Sequence, residues 1–70
     1  MAEAIGREVR AELARQRLTH SQLAAHLGLA QSQVSKRLAG TIEFRPSELE
    51  KAAEFLGVPL LNFIPAPAVA

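Results

Sequence analysis

A chain of 70 residues without cysteine holds one domain at most, and it has neither a disulfide nor a thiolate metal site to brace it. At this length folding buries only about 60% of the unfolded surface, so stability must come from close helix packing or from a second subunit. The net charge is +1 but unevenly placed: residues 1–45 carry seven basic side chains against four carboxylates, whereas residues 46–70 carry Lys51 against Glu48, Glu50 and Glu54.

That polarity lets one face of the domain meet a polyanion. The N-terminal stretch is charged and interrupted, unlike a signal peptide. The apolar run from Val58 to Ala70 is cut by three prolines and is too short to cross a bilayer. A cytoplasmic location is therefore expected.

No run alternates with period two and β-branched residues are few, so the chain reads as all-α. Ile5, Val9 and Leu13, four apart, mark one face of a first helix over about residues 2–16. Thr19 and Gln22 form a capping box for a second helix, with Leu18 stapled to Leu23; Leu23, Ala24 and Leu27 face inward, and Gly28 ends the helix. A third helix runs from about Gln31 to Ala39, stopped by Gly40. Ser47, with Glu50 three residues on, is the expected N-cap of a fourth helix carrying Leu49, Ala52, Ala53 and Leu56, closed by Gly57. Pro59 suits the first turn of a short fifth helix reaching Ile64. The expected organisation is one domain over residues 1–64 and a disordered tail over residues 65–70.

The glycine between the second and third helices is informative. Two short helices joined by a tight glycine-containing turn describe a helix-turn-helix. On the third helix Val34 and Leu38 mark the buried side; Ser32, Gln33 and Lys36 fall opposite, Ser35 lies at the flank, and Gln31 projects from the N-terminal end. Such a polar face is usually only solvated surface. Here it lacks the glutamates that phosphates would repel, and it stands where a recognition helix belongs. Gln, Lys and Ser also hydrogen-bond base edges in a major groove. Gln31, Ser32, Gln33, Ser35 and Lys36 are therefore the candidate base readers.

The segment "LTHSQLAAHLGLAQSQVSKRLAG" resembles the core of the Cro/CI-type (XRE-like) helix-turn-helix regulators, and "RPSELEKAAEFLGVPLLNFI" resembles their fourth and fifth helices. The resemblance implies the compact five-helix lambda-repressor-like fold, with the third helix in the major groove of double-stranded DNA. It implies base contacts from Gln31, Ser32 and Lys36 and backbone contacts from Thr19, His20, Thr41 and Arg45; Arg37 is counted with these phosphate contacts. His20 stands where the family usually has Gln, and Ala30 where a Ser or Thr cap is common, which costs about 1 kcal/mol. Leu13 and Leu38 occupy the positions at which many members pair Arg with Glu, a swap that implies contact between the two leucines. Arg17 stands where the family often has Gly.

Other chemistry finds little support. His20 and His26 are six apart, on different helix faces, and no acid cluster accompanies them, so no metal or other cofactor is expected. Ser21 beside His20 lacks a buried acid or an oxyanion donor, and no glycine-rich phosphate cradle exists; the chain does not read as an enzyme. Single-stranded RNA would call for stacking aromatics, and the chain has three Phe and no Tyr or Trp.

Leu60, Leu61, Phe63 and Ile64 form an apolar cluster. Part of it must complete the core, and the remainder could join two subunits; Phe44, Leu60, Leu61 and Phe63 are the dimer candidates. The expected function is a small phage- or bacterium-encoded repressor that binds a palindromic operator as a homodimer. The alternative is a protein-binding adaptor of the same fold, such as an antitoxin or a polymerase-docking factor.

Overall fold

The computed structural model describes residues 2–64 as four α-helices and one 3-10 turn, with no strand among them. The helices are α1 (Ala2–Arg15), α2 (His20–Leu27), α3 (Gln31–Ala39) and α4 (Pro46–Leu56), and the 3-10 turn spans Leu60–Phe63. The expected fifth helix is thus a single turn. Pro59 sits just before it in an extended conformation, and four residues give no room for an α-helical ladder. The tail expected over residues 65–70 lies outside the described residues.

Helix α1 forms on its four-residue apolar spacing: Val9 and Leu13 are buried, and Ile5 is half-buried against them. Gly6 is buried too, for a different reason. A side chain there would run into the carbonyl oxygens of Leu38 and Arg37, the latter 2.7 Å from where a Cβ would sit, so α1 crosses the end of α3 at backbone contact. Leu13 and Leu38 both belong to the buried core.

All four helices end in the same hydrogen-bonded wrap. In α2, Gly28 N–H donates to Ala25 and Leu29 N–H to Ala24, with Gly28 left-handed at φ 72°. Gly40 and Gly57 close α3 and α4 in the same way. In α1 the left-handed residue is Arg17, at φ 58°: its N–H donates to Ala14, and Leu18 N–H donates to Leu13 at 2.9 Å.

The starts differ from one another. Thr19 caps α2 with the expected reciprocal pair: its hydroxyl accepts from Gln22 N–H at 3.1 Å, while Gln22 Oε1 accepts from Thr19 N–H at 2.7 Å. Ala30 precedes α3 without any side-chain cap. Helix α4 starts two residues earlier than expected. Its capping residue is Arg45 and its first residue is Pro46, so Ser47 lies inside the helix. Glu48 Oε1 accepts from the Arg45 N–H at 2.9 Å, but a guanidinium has no acceptor, so the cap is one-sided.

Helix α3 packs against α1 and α2, α2 packs also on α4, and the 3-10 turn closes over α1 and α4. Val9, Leu13, Leu23, Val34 and Phe63 are the large side chains most completely enclosed. Gln16 ties α1 to the end of α4 by donating to the Leu56 carbonyl at 2.7 Å, which satisfies an acceptor the helix leaves open.

Candidate nucleic-acid interface

The outer face of α3 is set by what holds its inner face. Val34 and Leu38 are buried in the core, and the opposite side turns Ser32, Ser35 and Lys36 into solvent. Gln31, at the first position of α3, is exposed as well, but it is not loose: Ser21 Oγ donates to Gln31 Oε1 at 2.8 Å. That bond joins the first turn of α2 to the first turn of α3. Sequence reading weighed Ser21 only as a catalytic serine and missed this role, because the approach of the two helix starts depends on the angle set by the Gly28 turn.

Two expectations for α3 need correction. Arg37 is not an exposed phosphate ligand; it is 7% exposed. Its Nε and Nη2 donate to the two carboxylate oxygens of Glu48 on α4, at 2.9 and 3.3 Å, and its Nη1 donates to the carbonyl and the Oε1 of Gln33, at 3.0 and 3.2 Å. Such a two-point guanidinium–carboxylate contact fixes the relative placement of its helices. Gln33, expected among the base readers, is half-buried beside Arg37, one turn away on the flank that meets α4. Its carbonyl oxygen is engaged and only its amide N–H groups stay unclaimed. Helical spacing placed Gln33 opposite the buried side, and Arg37 was counted with the phosphate contacts; neither reading could show that Glu48 would arrive there from another helix.

Burial pushes the Glu48 carboxyl upward, but the hydrogen bond from Arg37, the Arg45 N–H and the charges of both arginines outweigh it, so its pKa lies below the ordinary glutamate value. The group therefore stays ionised and keeps hold of Arg37 in neutral solution.

The expected phosphate contacts lie at the start of α2 and in the loop after α3. Thr19, Thr41 and Arg45 are exposed, and His20 is half-buried. The Thr19 hydroxyl oxygen accepts the capping bond from Gln22 N–H and keeps its own proton to donate. Thr41 follows the Gly40 turn, where its N–H closes α3 on the Lys36 carbonyl at 3.0 Å. Gln31, Ser32, Ser35 and Lys36 are thus exposed on α3, Thr19 and His20 stand at the start of α2, Thr41 and Arg45 lie in the loop after α3, and Arg37 leaves the set.

An exposed polar helix held behind a short turn, with a second helix braced across its start, is the arrangement of a DNA-reading helix-turn-helix. The family model described as Helix-turn-helix matches residues 9–63. The chain belongs to that family, in its Cro/CI (XRE) type. It is accordingly a DNA-binding regulator in general kind, in a family that is not typically enzymatic. Among curated proteins none matches the chain. Among the described residues of this helix-turn-helix protein no cluster of metal-ligating side chains occurs, and no helix is long and apolar enough to cross a membrane.

The apolar dimer candidates separate sharply. Phe63 is 1% exposed and belongs to the core of its own chain, so it is withdrawn as a subunit contact. Leu60 and Phe44 are half-buried against that core. Leu61 is 78% exposed and Ile64 37%, the two large apolar side chains left in solvent among the described residues.

Proposed function

We propose that this helix-turn-helix protein is a sequence-specific repressor, of the small phage or bacterial kind, that binds a palindromic operator as a homodimer with α3 in the major groove. The observation that carries the reading is the exposed set Gln31, Ser32, Ser35 and Lys36 on a helix whose other sides are fixed by leucine, valine and the Arg37–Glu48 pair. Gln31 and Lys36 donate to base edges, the two serines adapt to either donor or acceptor, and Thr19, His20, Thr41 and Arg45 set the register on the phosphates. Gln33 contributes its amide N–H groups from the flank.

One module with so few phosphate contacts binds weakly, and pairing through Leu61 with support from Leu60 and Phe44 doubles the contacts over half-sites about 34 Å apart. Repression follows from occupying a promoter. The test is selection of duplexes from a random pool, followed by gel-shift titration at two salt concentrations. A recovered inverted repeat, bound more weakly as salt rises, supports the reading. Absence of any duplex binding at low salt ends it and favours a protein-binding adaptor.

A further inference from the structure

The end of α1 is closed by the same hydrogen-bonded wrap as the other helices, but on a residue that carries a Cβ. Arg17 is the one non-glycine residue with positive φ among the described residues, and it occupies the position that Gly28, Gly40 and Gly57 take in the other three helices. A Cβ is disfavoured in that conformation, so glycine would serve the backbone better. The hydrogen bonds of the wrap would form with glycine as well, so they give no reason for an arginine there, and strain of this kind gathers where a residue has work to do.

The distribution of charge shows what that is. Residues 13–42, which contain α2, the turn and α3, include no carboxylate at all. Their permanent cations are Arg15, Arg17, Lys36 and Arg37. Arg15 is paired with Glu12 and Arg37 with Glu48, while Lys36 and Arg17 are exposed and make no ion pair among the described residues. Lys36 lies at the centre of the α3 face. Arg17 lies two residues before the Thr19 cap and four before Ser21, the residue bonded to Gln31, which puts it in the link that leads into the start of α2.

We propose that Arg17 is a phosphate contact of this protein, gripping the DNA backbone next to the α2 start while Lys36 reaches the groove. The proposal rests on the DNA-binding reading above. A guanidinium meets a phosphate with two parallel N–H donors and keeps its charge at any working pH, which suits a residue whose backbone is held in one conformation. The neighbouring contacts, Thr19 and His20, supply hydrogen bonds without a permanent charge, and Arg17 supplies the charge they lack.

The experiment compares the wild-type protein with R17G and R17K by thermal unfolding and by anisotropy titration of a labelled random-sequence duplex over a series of KCl concentrations. R17G is expected to melt higher, because glycine relieves the strain. It is also expected to bind about three- to tenfold more weakly, with the slope of log K against log salt shallower by about 0.9, the loss of one neutralised phosphate. R17K keeps the charge and the wild-type slope. An R17G protein that melts higher and binds with unchanged slope overturns the proposal, as does an R17K protein that behaves like R17G. Wild-type protein that binds no duplex at low salt overturns the DNA-binding reading itself, an outcome distinct from either.

Discussion

Arg37 and Glu48 lock α3 to α4 through two hydrogen bonds, at 2.9 and 3.3 Å, between side chains only 8% and 12% exposed. The pair stands immediately behind the helix that carries the proposed base readers. Removing one partner leaves a nearly buried charge without its counterpart, so Arg37→Ala is expected to cost about 2–3 kcal/mol in denaturant unfolding. The double replacement R37M/E48L removes both charges and is expected to recover most of that stability. If R37A unfolds at the wild-type denaturant concentration, the pair is not holding the helices.

The same pair makes stability depend on acid. The folded Glu48 pKa lies below its unfolded value near ~4.3, so the folded protein binds fewer protons in that range. The Glu48 contribution is therefore fully present above ~4.3 and is lost as pH falls through the lowered folded pKa. Glu12 has a lowered pKa as well: the hydrogen bond from the Gln16 amide is the largest influence, desolvation opposes it, and Arg15 adds a hydrogen bond and its charge. That group is half-buried beside Arg15, and its titration persists in every Glu48 variant. Unfolding free energy measured against pH should fall less steeply below ~4.3 in R37M/E48L than in the wild type. Superimposable curves would remove Glu48 as the cause.

Gly6 predicts a substitution that helix propensity gets wrong. Alanine in a helix interior is favoured over glycine by about 1 kcal/mol. Here the added methyl would meet the backbone carbonyls of Leu38 and Arg37, which cannot swing aside as a side chain can. Gly6→Ala is therefore expected to destabilise the domain by about 1–3 kcal/mol, the range for forcing extra volume into a packed contact. Thermal unfolding checks the sign; a higher melting temperature would mean that α1 and α3 are not in backbone contact.

The sequence made the local decisions legible and left the junctions between elements hidden. The Thr19–Gln22 box, the Gly28 and Gly40 stops and the Val34–Leu38 stripe each follow from residues a few positions apart, and each is present. The α4 start was misread because Ser47 and Glu50 satisfy the spacing of a capping box as well as Arg45 and Glu48 do. Pro46, fit for a first helical position, was the signal that distinguished them. Arg37 and Gln33 were misjudged for a deeper reason: a basic residue or a helix angle can be read along one helix, whereas burial depends on what other helices bring to it, here Glu48. Phe63 shows the converse, since a large aromatic near a chain end is equally suited to a core or to an interface until the packing decides.

Leu61 and Phe63, two residues apart, should respond oppositely to substitution. Phe63→Ala empties a space at the centre of the core and is expected to cost about 3–5 kcal/mol, enough to unfold so small a domain. Leu61→Glu changes an exposed side chain and should leave the melting temperature within about 2 °C while weakening self-association in sedimentation equilibrium. Self-association unchanged in L61E removes this surface from the proposed dimer.

Ser21 offers the sharpest separation of base reading from folding. Its bond to Gln31 lies in solvent, so Ser21→Ala should alter stability by no more than about 0.5 kcal/mol. The effect on recognition is expected to be larger. Without the hydroxyl, Gln31 loses the partner that fixes its amide plane, and its rotamers must be ordered again on each encounter with a base. Discrimination at the single base pair read by Gln31 should fall by about 1 kcal/mol, while the other positions of the selected operator keep their preferences. Titration of single-base variants of that operator against wild type, S21A and Q31A measures this directly. In the double variant S21A/Q31A the serine should have no further effect, because its influence passes through Gln31. A base profile identical in S21A and wild type would show that Gln31 needs no brace, and additive losses in the double variant would show that Ser21 touches the DNA on its own account.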